Sequence, residues 1–109
     1  MIYRVVISAI AVERIEAHAA YIREVERLPL RASQWLNQVF QAAASLESMP
    51  RRFAVRLEAT ERLPEVRGLF VQGFLLLFDV DDATRTVTVI NARHARQAED
   101  PTDGPGHEP

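Results

Sequence analysis

The pattern of apolar and polar positions changes period along this chain, and its most apolar stretch is the run from Val66 to Ala95, VRGLFVQGFLLLFDVDDATRTVTVINARHA. Leu69, Phe70 and Val71 precede Gly73, the run Phe74 to Phe78 comes next, and after the turn-rich residues 79–84 come the alternating residues Thr86 to Ile90. Short apolar runs separated by Gly and Asp predict two or three antiparallel strands joined by tight turns. The middle run has Phe74, Leu76, Phe78 and Val80 on one side and Leu75 and Leu77 on the other, so both of its faces call for cover.

Upstream the period lengthens. Residues 2–8, IYRVVIS, form a compact β-prone run, and Ser8 is placed to cap a helix starting at Ala9. From Ala9 to Leu28, Ala11, Ile15, Ala19, Ile22 and Val25 recur at helical spacing, and Pro29 marks the end of that helix or the turn after it. A second helical pattern runs from Leu30 to about Ser48, with Ala32, Leu36, Val39, Ala43 and Leu46 as its stripe, Trp35 and Phe40 widening it, and Pro50 bounding it. So short a connector predicts an antiparallel hairpin covering one side of the sheet. Residues 51–65 alternate at Phe53, Val55 and Leu57 yet are rich in helix formers; they read as a loop carrying a short element. The expected fold is α+β in the order β-α-α-β-β-β: a two-helix antiparallel hairpin packed on one face of a small, curved, mainly antiparallel sheet.

Composition narrows the class. At 109 residues and 48% apolar content the chain suits one hydrophobic core. We expect a single domain over residues 1–98 and a disordered acidic tail over 99–109, where Pro, Gly and acids crowd without an apolar anchor. Cysteine is absent, which removes disulfides and thiolate chemistry. The first residues lack a basic segment followed by a long apolar one, and no run is long enough to cross a bilayer, so a cytoplasmic protein without a membrane partner is expected. The net charge of -2 hides a division: all 13 Lys and Arg are arginines within residues 1–98, against 11 acids, while four acids fall in the tail. A body this close to neutral does not have the basic excess of a nonspecific nucleic-acid binder.

Most site chemistries find no support. Asp79, Asp81 and Asp82 are too closely spaced for a calcium loop and suit a strand turn. His18 stands alone on the first helix and makes no metal spacing with His94 and His107. Gly104 and Gly106 lack the strand and helix that phosphate-binding glycines need. No cofactor or metal is expected.

The element order, with residues 3–8 feeding a helix that carries Ile15, Tyr21 and Ile22, then Trp35, Leu46 and Pro50, then Val66-Arg67, Gly73-Phe74, Leu77-Phe78 and Val80-Asp81, and residues 87–96 ending in Ala-Arg-His-Ala-Arg, resembles the ParE/RelE toxin superfamily of toxin–antitoxin modules, the plasmid stabilisation toxins. The likeness covers residues 2–97 and favours the ParE-like branch. It implies a small toxin paired with a cognate antitoxin, whose C-terminal region wraps around it and whose DNA-binding domain supplies the only, indirect, contact with operator DNA. ParE-like members inhibit DNA gyrase by protein binding; RelE-like members cleave messenger RNA on the ribosome. A nontoxic member kept as a partner-binding module is the third reading.

The residues give their own reason to expect a partner. With the helical hairpin on one face of residues 74–80, the other presents Leu75 and Leu77, joined by Val71 and alternate residues of the last strand, and each large aliphatic side chain buried there contributes roughly 1.5–3 kcal/mol. A second copy, or residues 51–65 folding back, are the alternative covers. RNA cleavage needs a base, an acid and cations over the phosphate; the candidates are Arg67, His94, Arg93 and Arg96, provided the strands bring them together. RelE-like nucleases add lysines or a terminal tyrosine or histidine, whereas this chain has no lysine and no tyrosine after Tyr21, which counts against cleavage. In the resemblance Arg67 matches the family's arginine at the start of the strand run, and His94 with Arg96 its terminal His-x-Arg pattern. The partner-binding set is Arg67, Val71, Leu75, Leu77, His94 and Arg96. Their plainer roles are a tie from Arg67 to an acid in the preceding loop and a backbone contact from His94.

Overall fold

A computed structural model describes residues 2–95; the expected tail over 99–109, Arg96 and His107 lie outside the described residues. The chain opens with strand β1 (Arg4–Ile7), followed by helices α1 (Ala9–Glu24) and α2 (Pro29–Ala44). Two single 3-10 turns, Ser45–Glu47 and Pro50–Arg52, lead into β2 (Val55–Leu57), β3 (Val66–Val71), β4 (Phe74–Asp81) and β5 (Thr86–His94). The sheet order is β1-β5-β4-β3-β2, with β1 parallel to β5 and every other pair antiparallel. The expected architecture is present with one strand more than the pattern showed: the ambiguous 51–65 segment contributes β2 at the sheet edge.

Local chemistry sets the boundaries. Ser8 starts α1 by accepting the Ala11 N–H at 3.1 Å, and its own hydroxyl donates to the Ile90 carbonyl at 3.1 Å, so one side chain both caps the helix and joins it to β5. The helix stops at Glu24, a turn short of Leu28, because Arg27 takes a left-handed conformation (φ 61) and reverses the chain. Val25, expected on the buried stripe, is therefore exposed. Pro29 is the first residue of α2, where a missing N–H costs nothing. The stripe of α2 also differs from expectation: Trp35 is buried with Ala32, Val39 and Ala43, while Leu36 is only partly buried.

Between β3 and β4, Gln72 (φ 49) and Gly73 (φ 82) form the two-residue turn that suits the twist of a hairpin. Between β4 and β5, the Asp81 carboxylate accepts the Ala83 N–H at 2.9 Å, the strand-turn role expected of the aspartate cluster.

The core lies between the hairpin and the sheet. Ala11, Ile15, Ala19 and Ile22 of α1 meet Leu76, Phe78, Val87, Val89 and Ala92, with Leu46 closing one end and Phe74 the other. Small alanines on both helices let the hairpin sit close to the larger sheet side chains. The register of β5 slips once: Leu77 faces Asn91 while Phe78 faces Val89, leaving Ile90 as the extra residue of a β-bulge. Val87 and Val89 point to the helices before the bulge, and Ala92 and His94 do so after it.

Candidate functional site

Arg67 is occupied by structure. Its guanidinium donates to the carbonyls of Arg51 at 3.1 Å and Phe53 at 2.7 Å and pairs with Glu65 at 2.8 Å. These bonds hold the turn at residues 50–52 and the start of β2 against β3. The geometry matches the plainer role, a tie to the preceding loop and its acid, and it keeps Arg67 away from the other candidates. Arg67 pairs with Phe78 and His94 with Phe74, four residues apart on β4 and on opposite sides of it. At about 3.3 Å per residue and 4.8 Å per strand, this separates them by roughly 13 Å along the sheet and 10 Å across it. Arg93 faces Leu75 and so projects from the face opposite His94. Arg67, Arg93 and His94 therefore do not converge; Arg96 lies outside the described residues.

The second face of the sheet is less open than the pattern suggested. Leu75 and Leu77 are 1% and 6% exposed, packed with Val66 and Ile90 in a small second cluster. The expectation that both present themselves to a partner is corrected, as is the placement of Val71 beside them: Val71 pairs with Phe74 and packs on the helix side. Part of the cover over Leu75 comes from residues 51–65 folding back. The Arg56 stem crosses Gly68, where a Cβ would lie 2.8 Å from both Arg56 Cγ and Leu75 Cδ1, and its guanidinium ends 5.3 Å from the Phe70 ring centroid. Gly68 thus has a packing reason: a side chain there would occupy the space that Arg56 and Leu75 share. Leu57 on β2, Leu63 in the loop that follows it and Phe70 on β3 stay outside, respectively 60%, 66% and 46% exposed.

His94 gathers neighbours at the other end of the molecule. Its ring lies 5.1 Å from that of His18, edge to face, and 5.5 Å from Phe74. His18 also meets Trp35 at 4.8 Å and Phe74 at 4.9 Å. Trp35 donates its indole N–H to the Gln72 carbonyl at 2.9 Å, fixing α2 to the β3–β4 turn, and the Ala95 N–H reaches the Gly73 carbonyl at 2.8 Å. His18, Trp35, Gln72, Gly73 and His94, with Tyr21, Ile22, Glu26 and Arg31, line an open groove of about 570 Å³. Burial and the neighbouring His94 push the His18 pKa below the ordinary histidine value, with Glu26 opposing them. His18 is accordingly not alone. A signal for it was present, since it stands three residues after Ile15 and four before Ile22, on the border of the buried stripe. Its partner was hidden, because strict alternation from Val87 and Val89 would send His94 to the other face; only the bulge at Ile90 turns it inward.

At the β4–β5 end, Asp82 accepts the Tyr3 hydroxyl at 2.6 Å and Arg51 at 3.0 Å, and these two bonds hold its carboxyl below the usual aspartate range. Asp79 goes the other way, raised by burial and by Asp81. Among the described residues no group of three His, Cys, Asp or Glu is placed to hold a metal, and no helix is long and apolar enough to cross a membrane.

A helical hairpin on a five-stranded mixed sheet is also the fold of chains in solved toxin–antitoxin complexes. A chain of the RelBE2 complex from Mycobacterium tuberculosis superposes with a TM-score of 0.58 at 21% identity, over 86% of this chain and 99% of that one. A chain of the chromosomal ParDE system from P. aeruginosa gives a TM-score of 0.64 at 17% identity, over 85% and 96%. At these identities the likeness is one of fold. No curated protein matches the sequence. The profile of the ParE toxin of the type II toxin–antitoxin system parDE matches residues 5–99. The chain belongs to this family: it is a type II toxin–antitoxin toxin of the ParE kind.

Proposed function

We propose that this toxin acts by binding DNA gyrase and inhibiting it, without chemistry of its own, and that a cognate antitoxin neutralises it by wrapping around it through the antitoxin's C-terminal region. The observation that carries the first half is the dispersal of the groups a ribonuclease would need: Arg67 is committed to the 51–65 loop, Arg93 projects from the face opposite His94, and His94 meets a second imidazole and aromatic rings. General acid–base cleavage requires its groups within hydrogen-bonding reach of one phosphodiester. Arg67 and His94 are too far apart for that.

The antitoxin half is supported by family membership and by what folding leaves uncovered. Leu57, Leu63 and Phe70 are exposed apolar side chains that a partner segment can bury, and β2 offers a short open strand edge. In this reading Leu75 and Leu77 support that surface from beneath. Arg67 holds the loop that carries it, and His94 and Arg96 remain proposed partner-binding residues.

The test is purified toxin assayed in parallel for inhibition of gyrase supercoiling and for cleavage of ribosome-bound messenger RNA, each with and without the protein encoded beside it. We expect loss of supercoiling, intact RNA, and relief by the neighbour. RNA cleavage that disappears in a folded His94→Ala variant would overturn the reading. Activity in neither assay would favour a partner-binding protein without toxicity.

A further inference from the structure

The contact between His18 and His94 is unusual in joining two ionisable rings from opposite ends of the chain, one on α1 and one at the last residue of β5. It closes the inner wall of the groove. Every element meeting there is tied down close by: α2 through Trp35 to Gln72, and the end of β5 through Ala95 to Gly73. One turn earlier on α1, Arg14 donates to the Asn91 side chain of β5 at 3.2 Å; at the level of residues 18 and 94 the two elements meet through rings, His18 against His94, with Phe74 in contact with both.

We propose that the His18–His94 contact is a pH-operated latch, closed while the His18 imidazole is neutral and released when it takes up a proton, so that α1 parts from the end of β5 and the groove beside Trp35 opens. Neutral imidazoles pack edge to face like other aromatic rings. A proton on His18 puts charge on a ring packed against Trp35 and Phe74, where part of its hydration is lost, while His94 stands at the exposed end of β5. The charges facing the pair are few. Glu26, just beyond α1, favours the protonated form of His18; Arg31 on α2 and Tyr21 on α1 line the same groove, and the β3–β4 turn brings only Gln72 and Gly73. Arg93, next to His94 in sequence, projects from the opposite face. One acid therefore faces two imidazoles and an arginine.

The sign is set by the lowered His18 pKa. The unfolded or opened chain binds the proton more readily than the closed one, so the latch is fully closed above the ordinary value of 6.5 and loses hold as pH falls through the lower folded value. A toxin of this kind would then offer a different surface in an acidified cell, at a place remote from Leu57, Leu63 and Phe70.

Trp35 is the only tryptophan and lies against His18, and imidazolium quenches indole emission more strongly than imidazole, so the full-length protein carries its own probe. The experiment is a titration from pH about 7.5 to about 5, the range in which histidines change charge. It tracks Trp35 emission, acrylamide access to Trp35, and hydrogen exchange at the Ala95 amide corrected for intrinsic pH dependence. We expect emission to fall with a midpoint below 6.5 while access and exchange rise together. His94→Gln should move the midpoint up, Glu26→Gln should move it down, and His18→Gln should abolish both the emission change and the rise in access. Far-UV circular dichroism checks each variant, and Glu26→Gln carries the test if either histidine variant does not fold. Emission that titrates while access and exchange stay constant overturns the latch, because His18 then changes charge in place. A rise in access that survives in His18→Gln, or a midpoint indifferent to Glu26→Gln in the absence of a folded His94→Gln, overturns it as well.

Discussion

Arg67 shows how a residue can satisfy a family pattern and still serve the fold. Its guanidinium meets two carbonyls and one carboxylate, and its side chain is only 15% exposed, so water cannot readily replace it. Arg67→Met keeps the stem and removes the donors, leaving Arg51 and Phe53 carbonyls and Glu65 without that partner. We expect a loss of roughly 2–3 kcal/mol in chemical denaturation, the scale of charged hydrogen bonds deleted from one side. An unchanged midpoint would mean that water fills the gap and that Arg67 has another purpose. The sequence offered both roles for this arginine. What it could not show was which loop carbonyls would come within reach, since they lie 14 and 16 residues upstream and face Arg67 only once β2 pairs with β3.

At the scale of elements, the joint between α1 and β5 does most to place the candidate site. Ser8 caps the helix and holds the Ile90 carbonyl, at the residue where β5 bulges. Ser8→Ala removes both bonds. A cost of about 1 kcal/mol is expected from the cap alone, seen as a lower urea midpoint, and Ser8→Asp should recover part of it because aspartate caps equally well. If Ser8→Asp restored all of the stability, the bond to Ile90 would count for nothing and the bulge would be held by packing alone. The helix pattern was legible because burial repeats every three to four residues, and the starting cap was legible with it. The bulge was not: the alternation of Thr86 to Val89 carries no mark of an added residue, and Ile90 packs with Leu75 and Leu77 on the far face in a register that only the pairing with β4 defines.

For the whole molecule, burial is uneven and local stability should track it. Phe78, Val87 and Val89 sit at the centre of the larger core, each with 0% exposure, whereas residues 58–64 carry exposed side chains and form no regular element. Among residues 2–95, amide exchange by nuclear magnetic resonance should find the slowest amides in the centre of β4 and β5 and fast exchange from Glu58 to Leu63. Addition of the antitoxin should slow exchange in β2 and the 58–63 loop if Leu57, Leu63 and Phe70 are its seat. Protection confined to α1 and α2 would place the partner on the opposite side.

By itself the sequence determined the class of fold, because apolar spacing, capping residues and turn residues are local and each agrees with one arrangement of helices on strands. It also determined the resemblance that the family match bears out. Only the tertiary structure decided which chemistry meets which. Whether Leu75 is open or covered depends on Arg56 crossing Gly68 from another strand. Whether His94 stands with Arg67 or with His18 depends on one extra residue in β5 and on which end of β4 each occupies. Such contacts join residues far apart in the chain through register and twist, quantities set by the packing of the whole core, and no periodicity along the sequence encodes them.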